Sequence, residues 1–292
     1  MSTGIRATAL VTGATDGVGR LVAERLAASG AAVIVHGRHE EKGWDTVRWI
    51  QRETGNPGIE FRRADFASLG EVRQLAHEVA SAHEQLNVVI NNAGIGFGAP
   101  GSSRETSRDG HELRLAVNYL APFLLTHLLL PIVRRSVPAR IVNVASLGQA
   151  PIDFDDVMLT RHYDGRHAYA QSKLALVMFT LDLAAALQGT KVTVNAVHPA
   201  TFMSTKMVAE AGIQPRSTVE EGANAILRLA TSPDVAESSG RFFDGQGESQ
   251  ADDAAYDPTS RRRLRDLTLE LVGLCAGQMS DSSESRAAQG PQ

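Results

Sequence analysis

Short β-branched and aliphatic runs alternate with longer segments of helical spacing through most of this chain of 292 residues. The apolar runs are Ala7–Thr12, Ala32–His36, Ile59–Arg62, Val88–Asn91, Arg140–Val144 and Val192–Val197. The helical segments are Val18–Ser29, Glu40–Arg52, Leu69–His83, Arg108–Arg135 and His167–Leu187. This alternation predicts βαβ units, and therefore a doubly wound α/β fold in which helices cover both faces of a parallel sheet. Because no break in the pattern separates a second fold, we predict a single domain over residues 1–277.

The C-terminal part continues this pattern and then changes composition. Val219–Leu229 has helical spacing, Gly240–Phe243 is predicted as a short last strand, and Pro258–Leu274 as a closing helix. Residues 278–292 are mostly small or polar, a composition that buries too little apolar surface to order a chain. We therefore expect a disordered tail there.

Composition and charge narrow the class of partner. The net charge of −4 provides no basic excess for nucleic acid or an acidic membrane surface. The one cysteine, Cys275, excludes an internal disulfide and suits a reducing compartment. The most apolar stretch, Leu113–Val133, contains Arg114 and Asn118, which favours a buried helix over a membrane span. We expect a cytoplasmic protein with a small-molecule substrate, no membrane or nucleic-acid partner, and no metal site, since the nine histidines lack metal-ligand spacing.

A tyrosine and a lysine stand four residues apart, at Tyr169 and Lys173, in a segment of helical spacing. Four residues are about one helical turn, so both side chains project from one face. An ammonium beside a phenol lowers the phenol pKa from about 10, which makes a tyrosine a general acid and base. Ser146, which follows a β-branched run, is expected to donate to an oxygen that gains negative charge. Together they predict proton transfer at a carbonyl or alcohol; taken alone, the pair would be a core tyrosine and a solvated lysine.

A glycine-rich turn, Thr12–Gly19, lies directly between the first predicted strand and the first predicted helix. Glycines there let the backbone approach a pyrophosphate, which the positive end of the following helix attracts. The spacing is G-x-x-x-G-x-G rather than the commoner G-x-G-x-x-G, and packing is the alternative role of such a turn. The turn residues predicted to bind a dinucleotide are Gly13, Thr15, Asp16, Gly17, Val18 and Gly19.

The end of the second strand bears on the choice of nucleotide. Arg38 stands where NAD-preferring sites carry an acidic residue for the ribose hydroxyls. A guanidinium suits a 2′-phosphate, so NADP(H) is the preferred cofactor and NAD(H) the alternative. Asp16 opposes this preference with its negative charge, and the other interpretation of Arg38 is an ordinary surface arginine.

Two further strand ends carry polar residues. Asp65 and Phe66 follow the third strand, where the carboxylate either accepts from an adenine amino group or caps the next helix. Asn92, Ala93 and Gly94 follow the fourth strand. Small residues and amides suit close packing against a cofactor there, and equally a plain turn.

In this order and spacing, the segments resemble the short-chain dehydrogenase/reductase superfamily over roughly residues 5–245. The resemblance rests on TGATDGVG at 12–19, Asp65, NNAG at 91–94, Asn118, Ser146 and YAQSK at 169–173. Residues 152–156 and 163–169 are similar to the retinol-dehydrogenase-like branch. The resemblance implies a Rossmann-like fold, an NAD(P)-dependent oxidoreductase, and a dimer or tetramer built on the two long central helices.

The resemblance also implies roles for the matching residues. Tyr169 would exchange the proton with the substrate oxygen, and Ser146 would hydrogen-bond that oxygen. Lys173 would lower the Tyr169 pKa and hold the nicotinamide ribose, while Asn118 would hold a water that links Lys173 to solvent. The remaining cofactor residues implied are Asn92, Ala93 and Gly94 on the adenosine side, and Pro199 and Phe202 on the nicotinamide side.

The chain departs from the family pattern after the sixth strand. Pro199-Ala200 replaces the usual Pro-Gly, and either Ser204 or Thr205 takes the place of the usual threonine. Neither change removes a catalytic group. The substrate is expected to be set by loops 95–107, 147–165 and 200–217, which lie around a fixed scaffold.

The chain is therefore predicted to move hydride between a nicotinamide and a carbonyl or alcohol carbon. One rival is a regulator or scaffold that binds NADP without turnover, whose mark would be loss of Tyr169 or Lys173. The other is an epimerase or dehydratase of the same fold, which generally needs a larger C-terminal substrate region. If NADP(H) is used, reduction is the expected direction.

Overall fold

The computed structural model describes residues 7–99 and 101–274, and it confirms the predicted α/β architecture. The strands are β1 (Thr8–Val11), β2 (Ala32–Gly37), β3 (Ile59–Arg63), β4 (Val88–Asn91), β5 (Ala139–Val144), β6 (Val192–His198), β7 (Arg241–Asp244) and β8 (Gly247–Ser249). The helices are α1 (Gly17–Ala28), α2 (Glu40–Thr54), α3 (Leu69–Ala82), α4 (Leu113–Leu115), α5 (Ala121–Arg135), α6 (Gly165–Ala186), α7 (Lys206–Glu210), α8 (Val219–Thr231) and α9 (Pro258–Leu271).

The sheet has two apolar faces because successive strand residues point to opposite sides. Leu10 joins the core beneath α3, α5, α6 and α9, whereas Ala9 and Val11 join the core beneath α1, α2 and α8. The other central strands alternate in the same way. Burial on both faces explains why these strands are near-continuous apolar runs in the sequence.

The sheet order, β3-β2-β1-β4-β5-β6-β7-β8, creates a crevice at one edge. Strands β1 to β7 run parallel, and the chain passes from β1 outwards to β3 before it crosses to β4. At this reversal the loops after β1 and β4 diverge to opposite faces, which opens the place where ligands bind in doubly wound sheets. The loops after β1, β4 and β5 carry the predicted glycine turn, Asn92 and Ser146.

The helix predicted to begin at Arg108 begins instead at Leu113. Residues before it form a tight turn in which Thr106 pairs with Glu112. The buried Glu112 carboxylate accepts from Leu115 N at 2.7 Å and so caps the helix. A π-helical turn, Ala116–Leu120, then separates α4 from α5, a local irregularity that the apolar pattern does not reveal.

The C-terminal region also differs from prediction. The strand predicted as Gly240–Phe243 is not the last, because a turn at Gly245 returns the chain as antiparallel β8. Helix α9 begins at Pro258 as predicted, capped by the Asp257 side chain, and ends at Leu271. Cys275 and the tail predicted at 278–292 lie outside the described residues.

One helical segment in the described part of the chain, Leu113–Arg135, is long and apolar enough to cross a membrane by length and composition. Its most apolar window is 78% buried inside the fold, as the sequence predicted for a core helix. The cytoplasmic location and the lack of a membrane partner stay predictions.

Candidate active site

The structure brings Ser146, Tyr169 and Lys173 together at the carboxyl edge of the sheet. Tyr169 and Lys173 lie one turn apart on α6, whose first turn is capped by the Asp164 carboxylate accepting from His167 N at 2.7 Å. The Lys173 ammonium nitrogen lies 5.7 Å from the centre of the Tyr169 ring. The hydroxyls of Ser146 and Tyr169 share a hydrogen bond. The three residues that the sequence spacing predicted to converge therefore form one cluster.

Two glycines and an aromatic ring shape the space around Tyr169. Gly148 N donates to Ser146 Oγ at 3.0 Å, and a Cβ at Gly148 would lie 3.7 Å from the Tyr169 ring. The Phe97 ring packs edge-on against Tyr169, with 6.0 Å between ring centres. Gly165 contacts the Phe97 carbonyl so closely that a Cβ there would lie 2.3 Å from it. The loop after β4 is thereby fixed against the start of α6.

The pKa values of the pair differ from the expectation. Burial raises the pKa of the Tyr169 phenol above its ordinary value, and the hydrogen bond with Ser146 acts in the opposite direction. Burial also lowers the pKa of Lys173 to about 8. The Lys173 ammonium donates to the Val144 carbonyl at 2.9 Å. The Tyr169 pKa is raised overall and not lowered as predicted, because burial of the phenol dominates. At neutral pH, Tyr169 therefore holds its proton.

Asn118 lies in the π-turn and joins the loop after β4 to α6. Its amide nitrogen donates to the Ile95 carbonyl at 3.1 Å and to Ser172 Oγ at 3.0 Å. Its amide oxygen accepts from Ile95 N at 2.8 Å. A Cβ at Gly94 would lie 3.1 Å from Asn118 Oδ1 and 3.5 Å from Lys173 Nζ, so both side chains meet at this glycine. The water-holding role of Asn118 stays a prediction.

The turn between β1 and α1 has the conformation that an anion site requires. Gly13 and Gly17 have φ values of 64° and 51°, in the left-handed region that favours glycine. The Asp16 carboxylate accepts from Gly17 N at 2.7 Å and caps α1. The helical ladder starts with Arg20 N donating to Asp16 O, so the amides of Val18 and Gly19 precede it and point out of the helix end.

Thr12 joins this turn to the loop after β4, a link that the sequence did not indicate. Its hydroxyl accepts from Asn92 N at 2.9 Å and from Ala93 N at 3.0 Å. The Asn92 amide donates back to the carbonyls of Thr12 and Gly13, at 2.8 and 3.1 Å. A Cβ at Gly13 would lie only 2.8 Å from Ala93 Cα. Asn92 and Ala93 therefore pack against the glycine turn, and their contact with a cofactor stays a prediction.

Asp65 does not cap the next helix, so that alternative is wrong. The α3 cap is Ser68, whose hydroxyl accepts from Glu71 N. The Asp65 carboxylate instead accepts from Ala67 N at 3.0 Å and lies 3.5 Å from the Arg108 guanidinium. The contact of Asp65 with an adenine amino group stays a prediction.

His36 is a second residue that the sequence reasoning missed. Its ring is buried in the penultimate position of β2 and stacks on Phe66, with 4.4 Å between ring centres. Gly13 N donates to its Nδ1 at 3.2 Å. The sequence feature that could have identified it is a single histidine in an otherwise aliphatic strand.

Arg38 follows β2 and is exposed at the rim of the same crevice. Its Nε donates to His39 Nε2 at 3.2 Å. Thr15 packs against the end of β2, since a Cβ at Gly37 would lie 2.5 Å from the Thr15 methyl. Arg38, which follows Gly37, therefore lies next to the glycine turn at the same edge of the sheet.

The segment after β6 closes over the glycine turn. Pro199 is buried, and Phe202 adopts φ 48°, a strained value for a bulky residue, with Arg216 lying over its ring at 5.7 Å. Thr205, rather than Ser204, faces the turn, because its methyl would lie 3.4 Å from a Cβ at Gly17.

The residues at this edge fit a bound dinucleotide. The amides that precede the helical ladder of α1, a carboxylate at Asp65 and a polar cluster at Tyr169 all follow strands of the parallel sheet at this edge. The close glycine contacts leave the backbone uncovered where a pyrophosphate would approach.

Comparison with known proteins agrees with this geometry. The short chain dehydrogenase family matches residues 7–215 of the chain. Retinol dehydrogenase 13 of Homo sapiens is 38% identical over 285 residues, covering 91% of this chain and 85% of the relative. The chain belongs to the short-chain dehydrogenase/reductase superfamily, in its retinol-dehydrogenase-like branch. This dehydrogenase is accordingly an oxidoreductase that acts on CH–OH or C=O groups with NAD(P).

Other similar proteins support the assignment. Retinol dehydrogenase 14 of Homo sapiens is 36% identical over 294 residues, covering 91% of this dehydrogenase and 86% of the relative. A solved structure of an uncharacterised protein from Mycobacterium paratuberculosis has a TM-score of 0.73 and 27% identity, covering 94% and 95% of the two chains. A short chain dehydrogenase from Escherichia coli CFT073, complexed with NADPH, has a TM-score of 0.68 and 30% identity, covering 82% and 96%.

Proposed function

We propose that this chain is an NADP(H)-dependent carbonyl reductase or alcohol dehydrogenase that uses Ser146, Tyr169, Lys173 and Asn118. The observation that carries the proposal is the hydrogen-bonded Ser146–Tyr169 pair, with a buried ammonium beneath it, at the edge that bears the glycine turn. This arrangement provides a proton and a hydrogen-bond donor for one substrate oxygen.

The proposed cofactor residues extend along the crevice from Asp65 to Lys173. The amides at the start of α1 hold the pyrophosphate, and Asp65 accepts from the adenine amino group. Lys173 holds the nicotinamide ribose. The bound nicotinamide supplies or accepts the hydride.

Tyr169 acts as the general acid in the reductive direction. Its raised pKa keeps the phenol protonated at neutral pH, and Ser146 orients it through their hydrogen bond. As the carbonyl oxygen gains charge, Ser146 donates to it and Tyr169 delivers its proton. The resulting phenolate is stabilised by the Lys173 ammonium, while Asn118 keeps the Ile95 backbone and Ser172 in place.

NADP(H) is the proposed nucleotide. Thr15 packs against the end of β2, and Arg38 follows directly after it. The Arg38 guanidinium is therefore available to bind the 2′-phosphate of NADP(H). The similar Escherichia coli structure, which is complexed with NADPH, supports the same choice.

The proposed substrate has an apolar body and one reactive carbonyl or alcohol carbon. Phe97 packs on Tyr169, and Met207 touches Gly96, where a Cβ would lie 2.7 Å from Met207 Cγ. These apolar groups come from two of the loops that the sequence singles out for substrate choice. Retinaldehyde is one candidate, because the relatives are named retinol dehydrogenases.

Turnover with a panel of substrates tests the proposal. NADPH oxidation is followed by absorbance with retinaldehyde, aryl aldehydes and aliphatic ketones, and we expect at least one substrate to be reduced. Tyr169→Phe should lower kcat for that substrate by about 10²–10⁴-fold, because the general acid is lost. NADPH affinity, measured by fluorescence titration, should stay within about 3-fold of wild type. A tenfold change would require the loss of a contact worth about 1.4 kcal/mol, and we expect the substitution to remove no such contact with the nucleotide.

Two results would contradict the proposal. Wild-type turnover by Tyr169→Phe would remove the proposed general acid. NADPH binding without reduction of any compound in the panel would favour the regulator or scaffold instead.

A further inference from the structure

We propose that His36 is a cofactor-positioning residue whose neutral imidazole fixes the glycine turn for the pyrophosphate. The inference rests on the proposed binding of NADP(H), but it does not depend on the substrate or on turnover. Nothing in the resemblance to the superfamily assigns this residue a role.

Both ring nitrogens of His36 have backbone partners, and these partners define the tautomer. Nε2 lies 3.1 Å from the Ala64 carbonyl, which can only accept, so Nε2 carries the proton. Nδ1 is then an unprotonated acceptor, and Gly13 N donates to it at 3.2 Å. The His36 carbonyl also accepts from Ala14 N at 2.9 Å. One residue therefore holds both Gly13 and Ala14, the second and third residues of the turn.

The surroundings of His36 keep the ring neutral. The residue is 3% exposed and stacks on Phe66 at an interplanar angle of 24°. Burial lowers its pKa to about 4, although the Ala64 carbonyl and the Asp65 carboxylate both act to raise it. A protonated ring could not accept from Gly13, so neutrality is required for this contact.

Gly13 is the position where such a contact matters most. Its φ of 64° is held from the other side by the Asn92 amide, which donates to the Gly13 carbonyl at 3.1 Å. His36 thus completes a clamp on the turn and ties it, through Ala64, to the loop that carries Asp65. The same ring therefore contacts both the glycine turn and the residue that precedes Asp65.

The position does not demand a histidine for packing. Its neighbours in β2 are Ile34, Val35 and Gly37, and no other residue of the strand is polar. An apolar residue would satisfy the core, but it would leave the Gly13 N–H and the Ala64 carbonyl without these partners. The hydrogen bonds to the turn, and not packing within β2, therefore account for a histidine at this position.

Three substitutions separate the hydrogen bonds from the packing. His36→Phe keeps an aromatic ring for Phe66 but removes both nitrogens. His36→Asn retains a polar atom at the position of Nδ1, which faces Gly13. His36→Gln reaches the position of Nε2, which faces Ala64, but offers no acceptor at the δ position.

NADPH dissociation constants, measured by fluorescence titration, test the proposal. We expect His36→Phe to raise the Kd about 10–100-fold, as for a buried N–H that loses its acceptor, and His36→Gln to behave similarly. His36→Asn should remain within about 5-fold of wild type, and kcat at saturating NADPH should change less than about 3-fold in all three. His127→Phe is the matched control, because this histidine lies on α5 among aromatic rings and should leave the Kd unchanged.

The outcomes distinguish this proposal from the proposed function. Wild-type Kd in a folded His36→Phe variant, or equal weakening by His36→Asn and His36→Gln, would overturn the role of the Nδ1 acceptor. If His36→Phe does not fold, as judged by circular dichroism, the His36→Asn and His36→Gln pair decides the question. A wild-type protein that binds NADPH tightly but turns over no substrate would contradict the proposed function and leave the His36 test intact.

Discussion

The two halves of the ligand edge are built from different kinds of polar group. In the cofactor half, the contacts of Thr12, Gly13 and His36 join neutral groups, and each donor has an acceptor. In the catalytic half, the Lys173 ammonium is buried and Tyr169 is half-buried, and burial shifts both pKa values towards the uncharged form. The hydrogen bonds of the cofactor half hold its backbone in one conformation. The catalytic half instead shields titratable groups from water, which lowers the free energy of unfolding.

The size of this cost can be judged from Lys173. Its pKa falls from 10.5 to about 8, which corresponds to about 3 kcal/mol against burying the ammonium. Between pH 8 and 10.5 the folded state binds fewer protons than the unfolded chain, so stability from this group rises with pH across that window. Below pH 8 the full cost is present.

Lys173→Met should give the largest difference between the catalytic half and the cofactor half. Removal of the buried ammonium should raise the free energy of unfolding at pH 7 by about 1–3 kcal/mol, while kcat/KM falls about 100-fold through loss of a charged hydrogen-bond donor. Urea unfolding and steady-state kinetics measure the two quantities. The gain in stability should fade as the pH rises from 8 towards 10.5.

Lys42→Met is the control for this substitution, because Lys42 is an exposed lysine on α2. It should change neither stability nor activity appreciably. A Lys173→Met variant that is less stable than wild type at pH 7 would mean that the catalytic half is not held at a cost, and the contrast between the halves would fail.

A smaller effect is expected in the cofactor half from Arg38→Asp. The 2′-phosphate would lose a cation and meet a negative charge, so the ratio of kcat/KM for NADPH over NADH should fall about 10–100-fold. Stability should hardly change, because the side chain is exposed. Arg48→Asp makes the same charge change elsewhere on the surface of α2, and its ratio should match wild type. An unchanged ratio in Arg38→Asp would show that Arg38 does not contact the nucleotide phosphate.

Local sequence spacing predicted the catalytic half well. Tyr169 and Lys173 share a helix, so their proximity follows from four residues of spacing. Ser146 and the glycine turn follow strands, and parallel strands bring their carboxyl ends to one edge. The central strands were recognisable because burial on both faces leaves apolar runs.

Contacts between distant segments were not predictable in the same way. Thr12 and His36 each bond backbone atoms far along the chain, and nothing near them in sequence indicates those partners. The raised pKa of Tyr169 likewise depends on burial rather than on its spacing from Lys173. The π-turn around Asn118 is a backbone adjustment without an apolar signature.

A crystal structure of the chain with NADPH would test the central claim most directly. The account predicts the pyrophosphate on the amides at the start of α1, the nicotinamide beside Ser146 and Tyr169, and Lys173 Nζ within about 3 Å of a ribose hydroxyl. A dinucleotide bound elsewhere, such as the groove of about 650 Å³ between Trp44 and Arg63, or a nicotinamide ring remote from Tyr169, would contradict it.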